Sequence, residues 1–258
     1  MEHLDLWWWL LLGGGAFVAG LVDAVVGGGG LVQVPLLLAV FPTVPVPILF
    51  GTNKLSSIAG TASAAWHYAK EVHIPRSVAI PGAIAALIGA WLGAGAVSLI
   101  PTAWLRPMVL ILLVVVGTYT WLRPQLGQQR GEAPPRYRGA IMASVIGGGI
   151  GFYDGFFGPG TGSFLILAFV KLFRMDMLQA SATAKVLNFA TNLAAIVFFA
   201  LFHGVLWAVG LVMAVCNVAG AQVGARLAVR HGNAFVRVLF LVVVSVLALK
   251  LGYDVIKA

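Results

Sequence analysis

Two lysines and two aspartates lie where an apolar chain has least use for charge. Lys54 and Lys185 fall inside the apolar stretches 48–69 and 177–201, and Asp23 and Asp154 inside 6–26 and 139–157. A charge at the centre of a bilayer costs nominally ~2.5–3.5 kcal/mol, so it turns towards a cavity or a counter-charge. At helical spacing each lysine heads a polar stripe. Lys54, Ser57 and Thr61 stand at i, i+3 and i+7, and Lys185, Asn188 and Asn192 repeat that spacing. Thr52, Asn53 and Thr183 adjoin the lysines and complete the candidate set. Two ammonium groups among hydroxyl and amide donors suit a small oxyanion. A second reading stays open, in which the lysines snorkel or pair with Asp23 and Asp154 as structural salt bridges.

Each aspartate opens a Gly-rich stretch, Asp23-Ala-Val-Val-Gly-Gly-Gly-Gly-Leu and Asp154-Gly-Phe-Phe-Gly-Pro-Gly-Thr-Gly. Glycine permits positive φ and a close backbone approach to a ligand. A helix starting directly afterwards presents unpaired N–H groups and the positive end of its dipole. Two such starts facing each other, through Gly28, Gly29 and Gly30 in one and Gly160, Thr161 and Gly162 in the other, would form an anion site. One glycine cluster alone would equally mark close helix packing. Two clusters at matched positions, each before a short apolar run, favour the site. Asp23 and Asp154 either carry protons for coupling or cap the broken backbone. His67 has no partner at ligand spacing and Cys216 is the single cysteine, so neither a metal nor a cofactor is expected.

The groups are positioned by a duplicated membrane fold. The offset between the aspartates is 131 residues (154 − 23), and it also carries Gly20 to Gly151, Thr52 to Thr183, Lys54 to Lys185, Gly89 to Gly220 and Gly93 to Gly224. Of 258 residues, 60% are hydrophobic and 9% charged. A soluble domain carries about 25% charged residues, so the solvent here is lipid. The net charge of +8 is spread in short basic clusters between apolar runs, which suits membrane orientation and not nucleic acid.

Apolar segments are expected at 6–26, 31–41, 48–69, 77–98 and 103–122, and again at 139–157, 163–173, 177–201, 205–228 and 235–256. Segments 31–41 and 163–173 are too short to span. They read as half-helices that begin inside the membrane after the glycines, where protein or a water-filled cavity satisfies the exposed backbone. Gly89 with Gly93, and Gly220 with Gly224, are expected at close helix contacts.

The expected fold is an all-α integral membrane protein of two inverted repeats, 1–122 and 139–258. A cytoplasmic linker, 123–138, joins them and carries Arg123, Arg130, Arg136 and Arg138 against Glu132. The inversion is read from charge. Loop 70–76 holds Lys70 and Arg76 while its repeat mate near 201–207 holds no Lys or Arg; loop 42–47 holds none while its mate 171–178 holds Lys171 and Arg174. Equivalent loops thus fall on opposite sides of the membrane, as an odd number of crossings per half requires. The start of the chain, Met-Glu-His-Leu-Asp, has no basic n-region, so the first helix is expected to be retained. The expected location is a bacterial or archaeal inner membrane, crossed several times.

The run Asp23-Ala-Val-Val-Gly-Gly-Gly-Gly-Leu-Val-Gln-Val-Pro-Leu-Leu, followed by Gly51-Thr-Asn-Lys-Leu, resembles the TauE/SafE family of sulfite exporters. So do Gly151-Phe-Tyr-Asp-Gly-Phe-Phe-Gly-Pro-Gly-Thr-Gly and Thr183-Ala-Lys-Val-Leu-Asn in the second half. The resemblance covers essentially the whole chain. It implies movement of small sulfur-containing anions: sulfite, thiosulfate, or organosulfonates such as sulfoacetate. The four glycines of one turn are Gly-Pro-Gly-Thr in the other, so the two turns offer different hydrogen-bond donors.

A secondary transporter for a small oxyanion is the leading functional class, with the bilayer and the anion as its partners. No nucleotide-binding loop is present to couple transport to ATP. A passive anion channel stays open, as does a cation transporter using Asp23 and Asp154, although the lysines would repel its ion. An intramembrane enzyme is set aside, because matched lysines have no task in aspartyl chemistry.

Overall fold

A computed structural model describes residues 5–101, 104, 111 and 135–257. All of the expected segment 103–122 except 104 and 111, and most of the linker, lie outside the described residues. Eight helices are described: α1 Leu6–Val26, α2 Gly29–Val40, α3 Val46–Glu71, α4 Arg76–Val97, α5 Arg136–Phe156, α6 Thr161–Phe173, α7 Met177–Phe202 and α8 Trp207–Lys257. The last is two helical stretches broken at Gly232, where φ is 67° and ψ −160°. Among the described residues there is no strand.

Local chemistry sets the boundaries. α3 starts behind Pro45 with Pro47 in its first turn, where a missing N–H has no intrahelical partner to lose. α7 is capped by Asp176, whose Oδ1 accepts the Gln179 N–H at 2.8 Å. The Gln179 side chain reaches further, donating to the carbonyl of His73 at 3.1 Å.

Elements pair across the offset. α1 and α5 have 21 residues each, α2 and α6 have 12 and 13, and α3 and α7 have 26 each. α1, α4, α7 and the stretch Trp207–Gly232 are long and apolar enough to cross a membrane. At 1.5 Å per residue α2 and α6 reach about 18–20 Å, well short of a ~30 Å hydrocarbon core. Ile80, Ile84, Ile88 and Leu92 recur every four residues on α4 and stay exposed, giving that helix an apolar outer face for lipid.

Each half is held by the helices of the other: α4 lies on α5, and α1 on α8. Close backbone approach makes these contacts, and only glycine allows it. A methyl group at Gly89 would strike the carbonyl of Gly148, and one at Gly220 the carbonyl of Phe17. Gly93 faces Phe152 as Gly224 faces Leu21, and Gly151 faces Ala86 as Gly20 faces Asn217. Each of these contacts recurs with the halves exchanged, the reciprocal pattern of an isologous interface. The expectation of close helix contacts at the two glycine pairs therefore holds.

Candidate functional site

The site begins at the two helix breaks. α1 ends at Gly27 in the left-handed region (φ 78°), its N–H on the Asp23 carbonyl, and α2 starts two residues later. α5 ends at Phe156; Gly158 (φ 95°) and Gly160 (φ 85°) then lead into α6. The two turns touch each other, with the Ser163 N–H donating to the Gly27 carbonyl at 3.3 Å.

A helix end leaves its last carbonyls without partners. At the end of α1 three hydroxyls supply them. Tyr68 Oη donates to the Ala24 carbonyl at 2.9 Å, Ser181 Oγ to Val25 at 3.1 Å and Ser163 Oγ to Val26 at 2.8 Å. The repeat mates of these donors are Phe199, Phe50 and Val32, none with a hydroxyl. Around the α5 break Phe50 instead packs edge-on to Phe157 and Phe199, with ring centroids 6.5 and 6.3 Å away. The second break takes its hydroxyls from within its own repeat, Tyr153 Oη donating to the Pro159 carbonyl at 2.6 Å and Thr161 Oγ1 to Gly158 at 2.7 Å. Hydroxyls of α3, α6 and α7 thus hold the first break, and rings and local hydroxyls the second.

Both lysines are buried, and both are paired across the halves. Lys54 Nζ lies 2.7 Å from Asp154 Oδ2, and Lys185 Nζ lies 2.7 Å from Asp23 Oδ2. The salt-bridge reading of these residues is what the geometry shows, with each aspartate serving the lysine of the opposite repeat. The capping reading holds for Asp23 as well. Its Oδ1 accepts the Gly29 N–H at 3.4 Å, and its Oδ2 accepts Thr61 Oγ1 at 3.5 Å. Among the described residues, Lys54 is the one side-chain or turn donor on the Asp154 carboxylate.

Between the pairs lies a cavity of about 20 Å³. That is room for roughly one water molecule. Its wall takes Asn53, Lys54 and Ser57 from α3, and Asn188 and Asn192 from α7. The starts of α2 and α6 add Gly30, Thr161 and Gly162, and Asp23 and Asp154 complete it. Gly27 and Gly158, at the two turns, also line it. Lys185 does not reach the wall; it sits behind Asp23, fully buried. Gly28, Gly29 and Gly160 also lie off the wall.

Thr52 and Thr183 are spent elsewhere. Thr52 Oγ1 donates to the Ile48 carbonyl at 2.8 Å and accepts the Leu206 N–H at 3.0 Å. Thr183 Oγ1 donates to the Gln179 carbonyl at 2.8 Å. Asn192 Nδ2 approaches Thr61 Oγ1 at 3.4 Å, which links the α7 stripe to the Asp23 carboxylate. Asn53 is 3% exposed and its Oδ1 has no hydrogen-bond partner, an unmet acceptor on the cavity wall.

Sequence reasoning overlooked Tyr68, Ser163 and Ser181. Their signal was available: hydroxyl side chains whose repeat mates are apolar. It also overlooked Gln33, whose Nε2 donates to Ser56 Oγ at 3.1 Å while its Oε1 lacks a partner.

Apolar helices of spanning length, two broken helices meeting at matched points and two buried ion pairs at their junction define a multi-pass integral membrane protein. The Sulfite exporter TauE/SafE family matches residues 12–251. The chain is 37% identical over 240 residues to the probable membrane transporter protein ORF9 of Sinorhizobium sp., covering 92% of this chain and 90% of that one. It is 37% identical over 237 residues to the probable membrane transporter protein YfcA of Escherichia coli K12, covering 92% and 87%. A probable membrane transporter protein of Haemophilus influenzae is 34% identical over 238 residues, covering 92% of each. No solved structure matches significantly. The chain belongs to the TauE/SafE family, and membrane transport is the class of function that this membership supports.

Proposed function

We propose that the protein is a secondary transporter that carries a small sulfur-containing anion across the membrane. Sulfite, thiosulfate and organosulfonates such as sulfoacetate are its substrate class, and two inverted repeats hold its central site. The family name and the donor chemistry of the cavity support this reading. The observation that carries it is the pair of cross-repeat contacts, Lys54 with Asp154 and Lys185 with Asp23, flanking a cavity lined by Asn53, Ser57, Asn188 and Asn192.

Charge balance shapes the mechanism. Two ammonium groups and two carboxylates make the site neutral as it stands. An arriving oxyanion competes with a carboxylate for an ammonium group, while hydroxyl and amide donors take its remaining lone pairs. Both helix starts border the cavity through Gly30, Thr161 and Gly162, so the positive ends of two helix dipoles add potential without adding an ion. The cavity is too small for an oxyanion in this form, so binding requires the wall to part. A cation site is poorly served, because both carboxylates are held by ammonium groups and no cluster of three metal-ligating side chains occurs among the described residues.

Purified protein melted with sulfite, thiosulfate, sulfoacetate, sulfate or sodium ions tests the reading. A ligand at 100 times its Kd stabilises the folded state by about 2.7 kcal/mol. Stabilisation by at least one sulfur oxyanion and not by sodium is expected. Stabilisation by the cation, with no response to any of the anions, would overturn the proposal.

A further inference from the structure

We propose that the two ion pairs divide the labour: Lys54–Asp154 is the working pair, which opens to admit the anion, and Asp154 takes up a proton as it does so. Lys185–Asp23 is a clasp that stays closed while the other pair opens. The inference rests on the anion reading above and assigns its charge coupling to one residue.

The assignment comes from a breakdown of symmetry. The repeats put equivalent pairs at equivalent distances, yet their surroundings differ. Asp23 has three donors: Lys185 Nζ at 2.7 Å, the Gly29 N–H at 3.4 Å and Thr61 Oγ1 at 3.5 Å. The matching donors are not on Asp154, which has Lys54 at 2.7 Å. Moving Asp154 off its partner disturbs one contact, whereas moving Asp23 disturbs three and frees the first turn of α2. The lysines differ likewise: Lys54 is on the cavity wall and Lys185 is behind it. Asn53, whose Oδ1 is unpartnered, adjoins Lys54, and its repeat mate is Ala184. An unmet acceptor on the Lys54 side suits a proton donor, as a protonated carboxyl is, and not the anion itself.

A step follows in which charge balances. The anion takes the place of the Asp154 carboxylate on the Lys54 ammonium. The displaced carboxylate would be an unpaired charge in a buried site, which is strongly unfavourable. A proton from the water on the entry side neutralises it, so one proton enters with each anion. Reversal on the other side returns the proton and restores the ion pair. Around Asp154 the charged and titratable groups are Lys54 from α3, Asp23 from α1, Lys185 from α7, and Tyr153 of its own helix, whose hydroxyl is given to the Pro159 carbonyl at 2.6 Å.

Calorimetric titration with thiosulfate in two buffers of different ionisation heat tests this. Thiosulfate does not change charge near neutral pH, so protons taken up on binding belong to the protein. If sulfite alone binds, it is titrated instead, with its own proton exchange subtracted. About one proton per anion is expected for the parent protein. Asp154→Asn should bind anion with the proton uptake gone. Asp23→Asn should keep the uptake, or fail to fold as the loss of a clasp implies. Binding without a proton in the parent, uptake that survives in Asp154→Asn, or uptake lost in a folded Asp23→Asn would each overturn the assignment while leaving the anion reading intact. Should Asp154→Asn not fold, Asp154→Glu is measured; a displaced pH midpoint of proton uptake supports the assignment and an unmoved one overturns it. If neither thiosulfate nor sulfite binds the parent, the anion reading falls and this inference falls with it.

Discussion

Replacing Lys185 by methionine isolates what a buried cross-repeat ion pair contributes. The lysine is fully buried, and its Nζ lies 2.7 Å from Asp23 Oδ2. At an effective dielectric of about 20, unit charges at that separation attract by roughly 6 kcal/mol before desolvation is counted. Breaking a buried pair from one side typically costs about 3–5 kcal/mol, because the remaining charge is left uncompensated. Asp23 is 15% exposed and keeps the Gly29 N–H and Thr61 Oγ1 as long contacts, so Lys185→Met should fall near about 3 kcal/mol. Asp154 is 2% exposed and loses its single strong donor in Lys54→Met, so that variant should fall nearer about 5 kcal/mol. Removing both charges in Asp23→Leu with Lys185→Met leaves no orphan ion. Its expected loss is about 1 kcal/mol, for the Gly29 and Thr61 contacts alone. Helix content followed through a dodecyl sulfate titration in mixed micelles gives these values, and Asp23→Leu alone closes the double-mutant cycle. A double variant as unstable as Lys185→Met would refute the reasoning, as would a Lys185→Met loss below about 0.5 kcal/mol.

Three further outcomes are expected. Lys54→Met should lose the thermal shift that sulfite or thiosulfate gives the parent, and an unchanged shift would remove Lys54 from the site. Gly27→Ala would place a methyl at φ 78° against the backbone of Gly162; the left-handed conformation alone costs roughly 1–2 kcal/mol, so a loss of at least about 2 kcal/mol in the same titration is expected, and a neutral result would mean that the turns do not touch. Single cysteines placed in loops 70–76 and 201–207, in a Cys216→Ser background, should react with an impermeant thiol reagent from opposite sides of the membrane; labelling of both from one side would rule out inverted repeats.

Most helix boundaries were legible because they are local. The apolar runs at 6–26 and 77–98 became helices Leu6–Val26 and Arg76–Val97, and the runs expected from 31 and 163 began two residues earlier, at Gly29 and Thr161. Glycine at positive φ, proline in a first turn and a run of apolar side chains act through residues a few positions apart. Membership of one stripe was legible for the same reason: Lys54 with Ser57, and Asn188 with Asn192, share the cavity wall.

The partners were not legible. Asp23 and Lys54 belong to one repeat, yet each pairs with the other repeat's ion. The 131-residue offset showed that the two halves are alike, which by itself allows pairing within a half or between halves. The choice was made by glycine contacts, with α4 set on α5 and α1 on α8, because these bring the two turns together. Nor could the duplication show that the matched aspartates are unequal. Thr61 and the Gly29 N–H reach Asp23, and no equivalent group reaches Asp154; angles and distances of tenths of an ångström decide such bonds, and only packing sets them. The sequence determined which residues are charged, where helices break and that each feature occurs twice. The tertiary structure alone decided which charges neutralise each other, and which of two like lysines faces the cavity.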